Sequence, residues 1–125
     1  MHELAIMESV LEIVLDFGIQ NRAKEIRQIN LVTGSLSGII PRWGEMFFTM
    51  IAKGTIAENA KLSFQVIPAV ITCRKCSEDT EFTAENMPDR CGICGSENIY
   101  LKAGKSFHID RIEAVIEEVE PNGSG

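Results

Sequence analysis

The sequence contains CRKC at residues 73–76 and CGIC at residues 91–94, and these two motifs hold all four of its cysteines. Fourteen residues, 77–90, separate the motifs. Zinc ribbons have closely similar spacing, because each CxxC turn directs two thiolates at one ion and two turns complete a tetrahedral shell. The motifs therefore predict a closed metal site whose ligands are Cys73, Cys76, Cys91 and Cys94.

The residues beside the motifs suit such a site. Gly92 and Gly95 are expected to give the second turn the backbone freedom that it needs. Arg74, Lys75 and Arg90 would offset the negative charge of the thiolates. Because the segment contains little other apolar material, we expect the ion itself to fold it.

The same cysteines are also compatible with other chemistry. A thioredoxin-like redox centre uses one CxxC pair rather than two, and disulfides are unusual in a reducing compartment. Iron in a rubredoxin-like shell has the same four ligands, and the spacing does not distinguish iron from zinc. A closed shell of four thiolates leaves no open position for a substrate, so the motifs predict metal binding without predicting a reaction.

Composition and charge narrow the class of protein. The chain has 125 residues, 45% of them apolar, which suits one compact domain or one domain with a small metal-stabilised lobe. Its 18 acidic residues exceed its 12 basic ones, and a net charge of −6 argues against a protein that binds the phosphate backbone of nucleic acids. The sequence shows neither a secretory signal nor an apolar run of about 20 residues, the length that spans a bilayer. We therefore expect a soluble, cytoplasmic protein.

Hydrophobic periodicity outside the cysteine segment predicts two helices and three strands. Apolar residues at helical spacing cover residues 4–17, and a second helix is expected over residues 41–54 with proline at its first position. Two-residue alternation predicts strands at residues 23–33 and 62–66. Residues 107–119 fit either period, and their β-branched content favours a strand. The apolar faces expected to pack in the core are those of Ile6, Val10, Ile13, Val14 and Phe17 in the first helix and Trp43, Phe47, Met50 and Ile51 in the second.

The N-terminus carries one of only two histidines, at position 2. A histidine in this position is ordinarily exposed and has no specific role. Here the free amine of Met1, the amides of His2 and Glu3 and the His2 imidazole are able to wrap one metal ion in fused chelate rings. Four nitrogens in a plane suit Ni(II) or Cu(II), which accept tetragonal geometry. The N-terminus is therefore a second candidate metal site.

These features occur together in a known family. The chain opens with MHEL at residues 1–4, continues with an amphipathic helix, a strand with GSLSG at residues 34–38 and an aromatic second helix, and then contains the paired CxxC motifs. In this combination it resembles the HypA/HybF family of nickel-delivery proteins for [NiFe]-hydrogenase maturation, some of which also serve urease. The resemblance covers about residues 1–119, and the opening MHE and the cysteine pairs are its most specific parts.

The resemblance implies an α+β fold in which two helices pack on a small three-stranded sheet, with a four-cysteine zinc-ribbon lobe inserted before the last strand. A nickel-binding domain is then expected at residues 1–68 plus 106–119, and a zinc-binding ribbon at residues 69–105. A flexible tail is expected at residues 120–125. The ambiguous final segment becomes a strand that returns to the first domain.

The same resemblance implies the metals and partners. His2 would anchor Ni(II) as transferred cargo, with Met1 and Glu3 contributing backbone nitrogens and the Glu3 side chain lying just outside the shell or steering the metal. Zn(II) on the four cysteines would be structural, and the protein would not be an enzyme. The implied partners are a maturation GTPase of the HypB type and the hydrogenase large subunit precursor, with no nucleic acid or membrane. Some archaeal members carry a histidine in a long insertion between the cysteine pairs, and the spacer here has none.

Other functional classes remain open from the residues alone. One is a zinc-ribbon module that binds proteins or nucleic acid, although the acidic charge weakens the nucleic-acid version. Another is a rubredoxin-like electron carrier, which would be red when purified. An enzyme is least favoured, because the sequence has no nucleophile elbow, phosphate loop or open-shell metal motif.

Overall fold

The computed structural model describes residues 3–117, which form two helices and six strands. The elements are α1 (Glu3–Gln20), β1 (Ala23–Gly34), α2 (Pro41–Ile51), β2 (Lys61–Ile67), β3 (Ala69–Cys73), β4 (Asp79–Phe82), a short 3-10 turn (Ala84–Asn86), β5 (Ile99–Ala103) and β6 (Phe107–Ile116). Met1, His2 and the predicted tail at residues 120–125 lie outside the described residues. Among the helices described, none is long and apolar enough to cross a membrane.

The strands form two three-stranded sheets, ordered β2-β1-β6 and β4-β3-β5. The Gly34 N–H donates to the Ser106 carbonyl at 2.7 Å, and the Glu117 N–H donates to the Arg22 carbonyl at 2.8 Å, so β6 runs antiparallel to β1. The α+β class is confirmed. The choice of a strand for the ambiguous final segment is also confirmed, and that strand ends at Ile116.

The chain divides into two compact units. The first extends to residue 30 and adds residues 40–63 and the segment from residue 109 onward, so it holds both helices. The second comprises residues 31–39 and 64–108, and it holds the cysteine motifs. The functional division into a nickel-binding domain and a zinc-binding ribbon stays a prediction.

Helix α1 buries one face and exposes the other. The predicted core residues Val10 and Val14 are buried, but Ile13, expected on the same face, is 54% exposed, because the buried face does not extend to it. The helix continues beyond the predicted end at residue 17 and finishes at Gln20. A Cβ on Gly18 would lie 2.6 Å from Cδ1 of Ile56, so the absence of a side chain gives Ile56 room to pack there. The buried residues of α1 are Glu3, Met7, Val10, Val14 and Gly18.

Helix α2 begins at Pro41, as predicted, but its buried face differs from the expected one. Proline fits the first helical position because its missing N–H has no partner to lose there. The buried residues are Gly44 and Phe48, one turn apart. Trp43 and Met50 are instead 40% and 54% exposed. The assignment of these two side chains to the core is therefore wrong, because the helix is turned so that Phe48 points inward.

Two glycines allow chain segments of the second unit to approach closely at the end of β1. A Cβ on Gly34 would overlap the backbone carbonyl of Gly104, and one on Gly104 would lie 2.5 Å from the Cα of Ala69. Gly104 also has a φ of +114°, which strains any other L residue. The Leu36 N–H donates to the Gly104 carbonyl at 2.8 Å. Hydrogen bonding thus holds the two backbones in contact where no side chain fits.

We predict that Gly34→Ala lowers the free energy of unfolding by about 2 kcal/mol or more, because the obstructing atoms belong to backbone and not to a movable side chain. Gly54→Ala is the control: Gly54 has a φ of +82° with nothing within 4 Å of a built Cβ. Gly54→Ala should lower the free energy of unfolding by only about 1 kcal/mol, because alanine is strained in the left-handed conformation. Denaturant unfolding measures both, and equal costs would contradict the proposed overlap.

Candidate metal centre

The two CxxC turns bring the four cysteine sulfurs together. All four Sγ atoms lie within 4.8 Å of one another. Two distances of 3.6 Å each join one motif to the other, Cys73 to Cys94 and Cys76 to Cys91. A disulfide would need about 2.05 Å, whereas sulfurs bound at about 2.3 Å to one tetrahedral ion lie about 3.8 Å apart. The spacing therefore fits four thiolates that share one ion.

These cysteines are the one cluster of its kind in the described chain. Within residues 3–117, no other group of three or more His, Cys, Asp or Glu side chains is placed to hold a metal ion. Cys73 and Cys91, the first cysteine of each motif, are buried, whereas Cys76 is half-buried and Cys94 is exposed. The structure thus assembles the four predicted ligands at the surface of the second unit, with one side toward solvent.

The two turns share one pattern of backbone hydrogen bonds. In each turn the residue after the second cysteine donates its N–H to the carbonyl of the first cysteine, and the N–H of the first cysteine donates to a carbonyl further along. These bonds are Ser77 to Cys73 at 2.9 Å, Cys73 to Glu78 at 3.0 Å, Gly95 to Cys91 at 2.9 Å and Cys91 to Ser96 at 2.8 Å. Each motif therefore closes its own turn locally, and the fold needs only to bring the two turns together.

Backbone amides point at the sulfur of the first cysteine in each motif. The Cys76 N–H, together with the Lys75 N–H and the thiols of Cys94 and Cys76, lowers the pKa of Cys73 to about 6. The N–H groups of Cys94 and Ile93 lower the pKa of Cys91 in the same way. Both effects favour the thiolate, which is the form that binds metal. The N–H to Sγ distances are 3.3 Å for Lys75, 3.4 Å for Cys76, 3.4 Å for Ile93 and 3.5 Å for Cys94.

The pKa of Cys76 is shifted in the opposite direction. The N–H of Glu78 lowers the pKa of Cys76, but burial and the neighbouring thiols, Cys91 foremost, outweigh it and raise the pKa to about 12. Thiolates this close repel one another, so the cluster retains protons when no cation is present. A divalent ion would displace these protons and remove the repulsion, which is how metal binding and deprotonation are coupled at thiolate sites.

Left-handed backbone follows the second cysteine in both turns. Gly95 has a φ of +76°, and Ser77, at the equivalent place in the first turn, has a φ of +66°. Gly92 is not among the residues with positive φ, and a Cβ there would meet nothing within 4 Å. The expectation that Gly92 supplies needed freedom is therefore wrong. Sequence reasoning missed Ser77 because glycine is the usual signal for this conformation.

Two of the three cationic side chains near the motifs, Arg74 and Arg90, have partners of their own. The Arg74 guanidinium lies 4.3 Å from the centroid of the Tyr100 ring, within cation–π range. Arg90 lies 3.2 Å from a carboxylate oxygen of Glu97 and 3.4 Å from one of Asp89. The sequence analysis does not predict this contact of Tyr100. An aromatic residue soon after the second motif is the sequence signal that indicates it.

Glu3, predicted to belong to the nickel site, is buried at the start of α1. The residue is only 6% exposed, and the Ile40 N–H donates to its Oε2 at 3.2 Å. Its own N–H and that of Ile40 lower the pKa of the Glu3 carboxyl. Because Ile40 directly precedes α2, this hydrogen bond joins the first turn of α1 to the start of α2. No short stretch of sequence predicts this hydrogen bond, because 37 positions separate its two partners.

The remaining predicted nickel ligands, Met1 and His2, lie outside the described residues, and their role stays a prediction. His108, the other histidine of the sequence, lies exposed on β6. Of the predicted site residues, the structure therefore describes Glu3 and the four cysteines. Glu3 belongs to the first unit, and the cysteines belong to the second.

Comparisons with known proteins agree on one family. Residues 1–114 match the family described as hydrogenase/urease nickel incorporation, metallochaperone, hypA. A hydrogenase maturation factor HypA from Syntrophus aciditrophicus is 36% identical over 104 residues, which cover 83% of this chain and 90% of that protein. A protein of the same name from Aquifex aeolicus is 32% identical over 117 residues, covering 94% of this chain and 100% of that one.

Solved structures have the same fold. The solution structure of the nickel metallochaperone HypA from Helicobacter pylori superposes with a TM-score of 0.64 at 19% identity, covering 94% of this chain and 100% of that one. A second solution structure of a HypA protein gives a TM-score of 0.68 at 19% identity, over 94% of this chain and 98% of that one. At this identity the likeness supports the fold alone.

We predict that Gly95→Ala lowers the free energy of unfolding of the metal-loaded protein by about 1 kcal/mol, because alanine must adopt the left-handed conformation. Gly92→Ala is the matched control in the same motif and should change this free energy by less than about 0.5 kcal/mol. Denaturant unfolding, with metal content determined in parallel, compares the two variants. Similar losses from both substitutions would contradict the assignment of the strained position to Gly95.

Proposed function

The chain belongs to the HypA family, and from this premise we propose that it is a nickel metallochaperone that delivers Ni(II) for the maturation of [NiFe]-hydrogenase. The observation that carries this proposal is the family match over residues 1–114. The relatives described above are named hydrogenase maturation factors, which favours hydrogenase as the target. Urease, which the family description also includes, is a second target under the same proposal.

The cysteine cluster is proposed to hold a structural zinc ion. Four thiolates in a closed arrangement are a donor set that zinc prefers, and they leave no position open for exchange or catalysis. The amides that point at Cys73 and Cys91 stabilise thiolate character before the ion binds. Zinc here would contribute to folding the lobe and would not take part in a reaction.

Nickel is proposed to bind separately, at the N-terminus. The free amine of Met1, the backbone nitrogens of His2 and Glu3 and the His2 imidazole would form its shell. A shell made largely of backbone nitrogen and one imidazole suits tetragonal Ni(II). A site at the end of the chain would also release its ion more readily than a closed cage, as transfer to another protein requires.

Glu3 is proposed to position this shell. Its carboxylate is engaged by the Ile40 N–H, which supports a role in holding the first turn of α1 rather than in binding the ion directly. Glu3 also contributes a backbone nitrogen to the proposed shell, so holding Glu3 would hold that nitrogen. The side chain would therefore act on nickel through the backbone that it holds.

The proposal extends to the surroundings in which the protein acts. Its partners would be a maturation GTPase of the HypB type, which passes nickel, and the hydrogenase large subunit precursor, which receives it. It would act in the cytoplasm, without a nucleic-acid or membrane partner. Metal transfer makes and breaks coordination bonds only, so the protein would not be an enzyme.

We predict that His2→Ala abolishes specific nickel binding and leaves zinc content and folding intact. His108→Ala is the matched control, because it removes the other histidine from an exposed position in β6. The untagged, zinc-loaded proteins are titrated with a nickel salt and followed by calorimetry and visible absorption. The parent and His108→Ala should bind one nickel per chain with the absorption of planar nickel.

Unchanged nickel affinity in His2→Ala would remove the basis for the N-terminal site. Loss of binding in His108→Ala would contradict it equally, because the site would then require an imidazole from β6. A residue added ahead of Met1 should act like His2→Ala, since it takes the free amine out of the shell.

A further inference from the structure

The strand β4 lies at the end of the sheet β4-β3-β5, and its outer edge is open. On its inner side, Glu81 pairs with Val70 and Asp79 pairs with Thr72. Among the described residues no strand pairs with its outer side. An open edge presents unpaired N–H and C=O groups, to which another extended chain is able to add.

The register shows which residues of β4 present those groups. The Cys73 N–H donates to the carbonyl of Glu78, the residue opposite it, so Cys73 and Glu78 form a hydrogen-bonded pair. Every second pair along the ladder is then hydrogen-bonded. Asp79 and Glu81 then fall at the non-hydrogen-bonded positions of the β3–β4 ladder. Their backbone N–H and C=O groups therefore point outward, away from β3.

A groove lies beside the C-terminal end of β4, within the second unit. It has a volume of about 430 Å³. Its lining combines apolar side chains, among them Val66, Pro68 and Phe82, with the carboxylates of Glu81 and Glu85. Val66 is 52% exposed, so the apolar lining faces solvent. We call this groove, with the outer edge of β4, the β4 groove.

The charge at the β4 groove is acidic. Asp79 is engaged by Lys102 at 2.7 Å and by the Thr72 hydroxyl at 2.7 Å. Within residues 3–117, no lysine or arginine forms a salt bridge with Glu81 or Glu85, and both glutamates are exposed. An incoming segment therefore meets two carboxylates that lack a counter-charge beside an apolar surface.

We propose that the β4 groove binds an extended, basic and apolar segment of a partner protein by strand addition. The outward N–H and C=O groups of Asp79 and Glu81 would pair with the backbone of the segment, as in β-augmentation. Its apolar side chains would enter the groove, and its lysine or arginine side chains would meet Glu81 and Glu85. This site is separate from nickel binding and does not depend on it.

A second copy of this chain is a poorer occupant. The sequence of β4 is Asp-Thr-Glu-Phe, so pairing of two β4 edges would bring carboxylates together. Like charges directly opposite one another destabilise paired strands. Charge complementarity thus favours a basic partner over self-association.

The test uses the metal-loaded full chain and a fluorescent seven-residue peptide of alternating lysine and valine. Fluorescence anisotropy should detect its binding, and a glutamate–valine peptide of equal length should not bind. Glu81→Lys should weaken binding by about tenfold. Glu58→Lys, which makes the same charge change at an exposed position of the other unit, should change binding less than twofold.

A second peptide tests strand addition without altering the protein. N-methylation of the backbone at alternate residues removes the hydrogens that pair with a strand edge, and this lysine–valine peptide should not bind. Equal binding of the methylated and unmethylated peptides would overturn the proposal, and so would equal weakening by Glu81→Lys and Glu58→Lys. Absence of binding to the folded chain, or self-association that Glu81→Lys abolishes, would overturn it as well.

Discussion

The close approach of four cysteine sulfurs, at a spacing that suits one shared cation, is the constraint on which the arrangement of the second unit depends. The sulfurs lie within 4.8 Å, a separation at which several thiolates repel strongly unless an ion neutralises them. Cys73 is the last residue of β3, β4 begins after the first turn, and Ile99 of β5 pairs with Cys73 just after the second turn. The cluster therefore sits where the ends of all three strands meet, and one ion would tie them together.

A metal carrier also needs a place from which an ion can leave, and a closed thiolate cage does not provide one. In the proposed function the two needs are separated: the soft sulfur ligands lie in the middle of the chain, and the proposed nitrogen ligands lie at its N-terminus. Glu3 is the member of the proposed nickel shell that lies within residues 3–117, and its carboxylate is engaged by the Ile40 N–H. In the proposed function one metal maintains the fold, and the other is cargo bound at a separate site.

Local patterns predicted what local chemistry controls. The cysteine spacing predicted the cluster, and Pro41 predicted the start of α2. Features that depend on distant parts of the chain were not predictable. Periodicity placed Trp43 on an apolar face, but the packing of the rest of the chain decided that the buried face is that of Phe48. The same holds for the contact of Gly34 with Gly104, which no short stretch of sequence reveals.

The central claim is that zinc and nickel occupy separate sites of different chemistry. X-ray absorption tests it most directly, measured at both metal edges on one sample of the untagged chain loaded with both ions. The account predicts four sulfur neighbours at about 2.3 Å around zinc, and only nitrogen or oxygen neighbours around nickel. Sulfur in the nickel shell, or nitrogen in place of sulfur around zinc, would show that the two sites share ligands and would contradict the account.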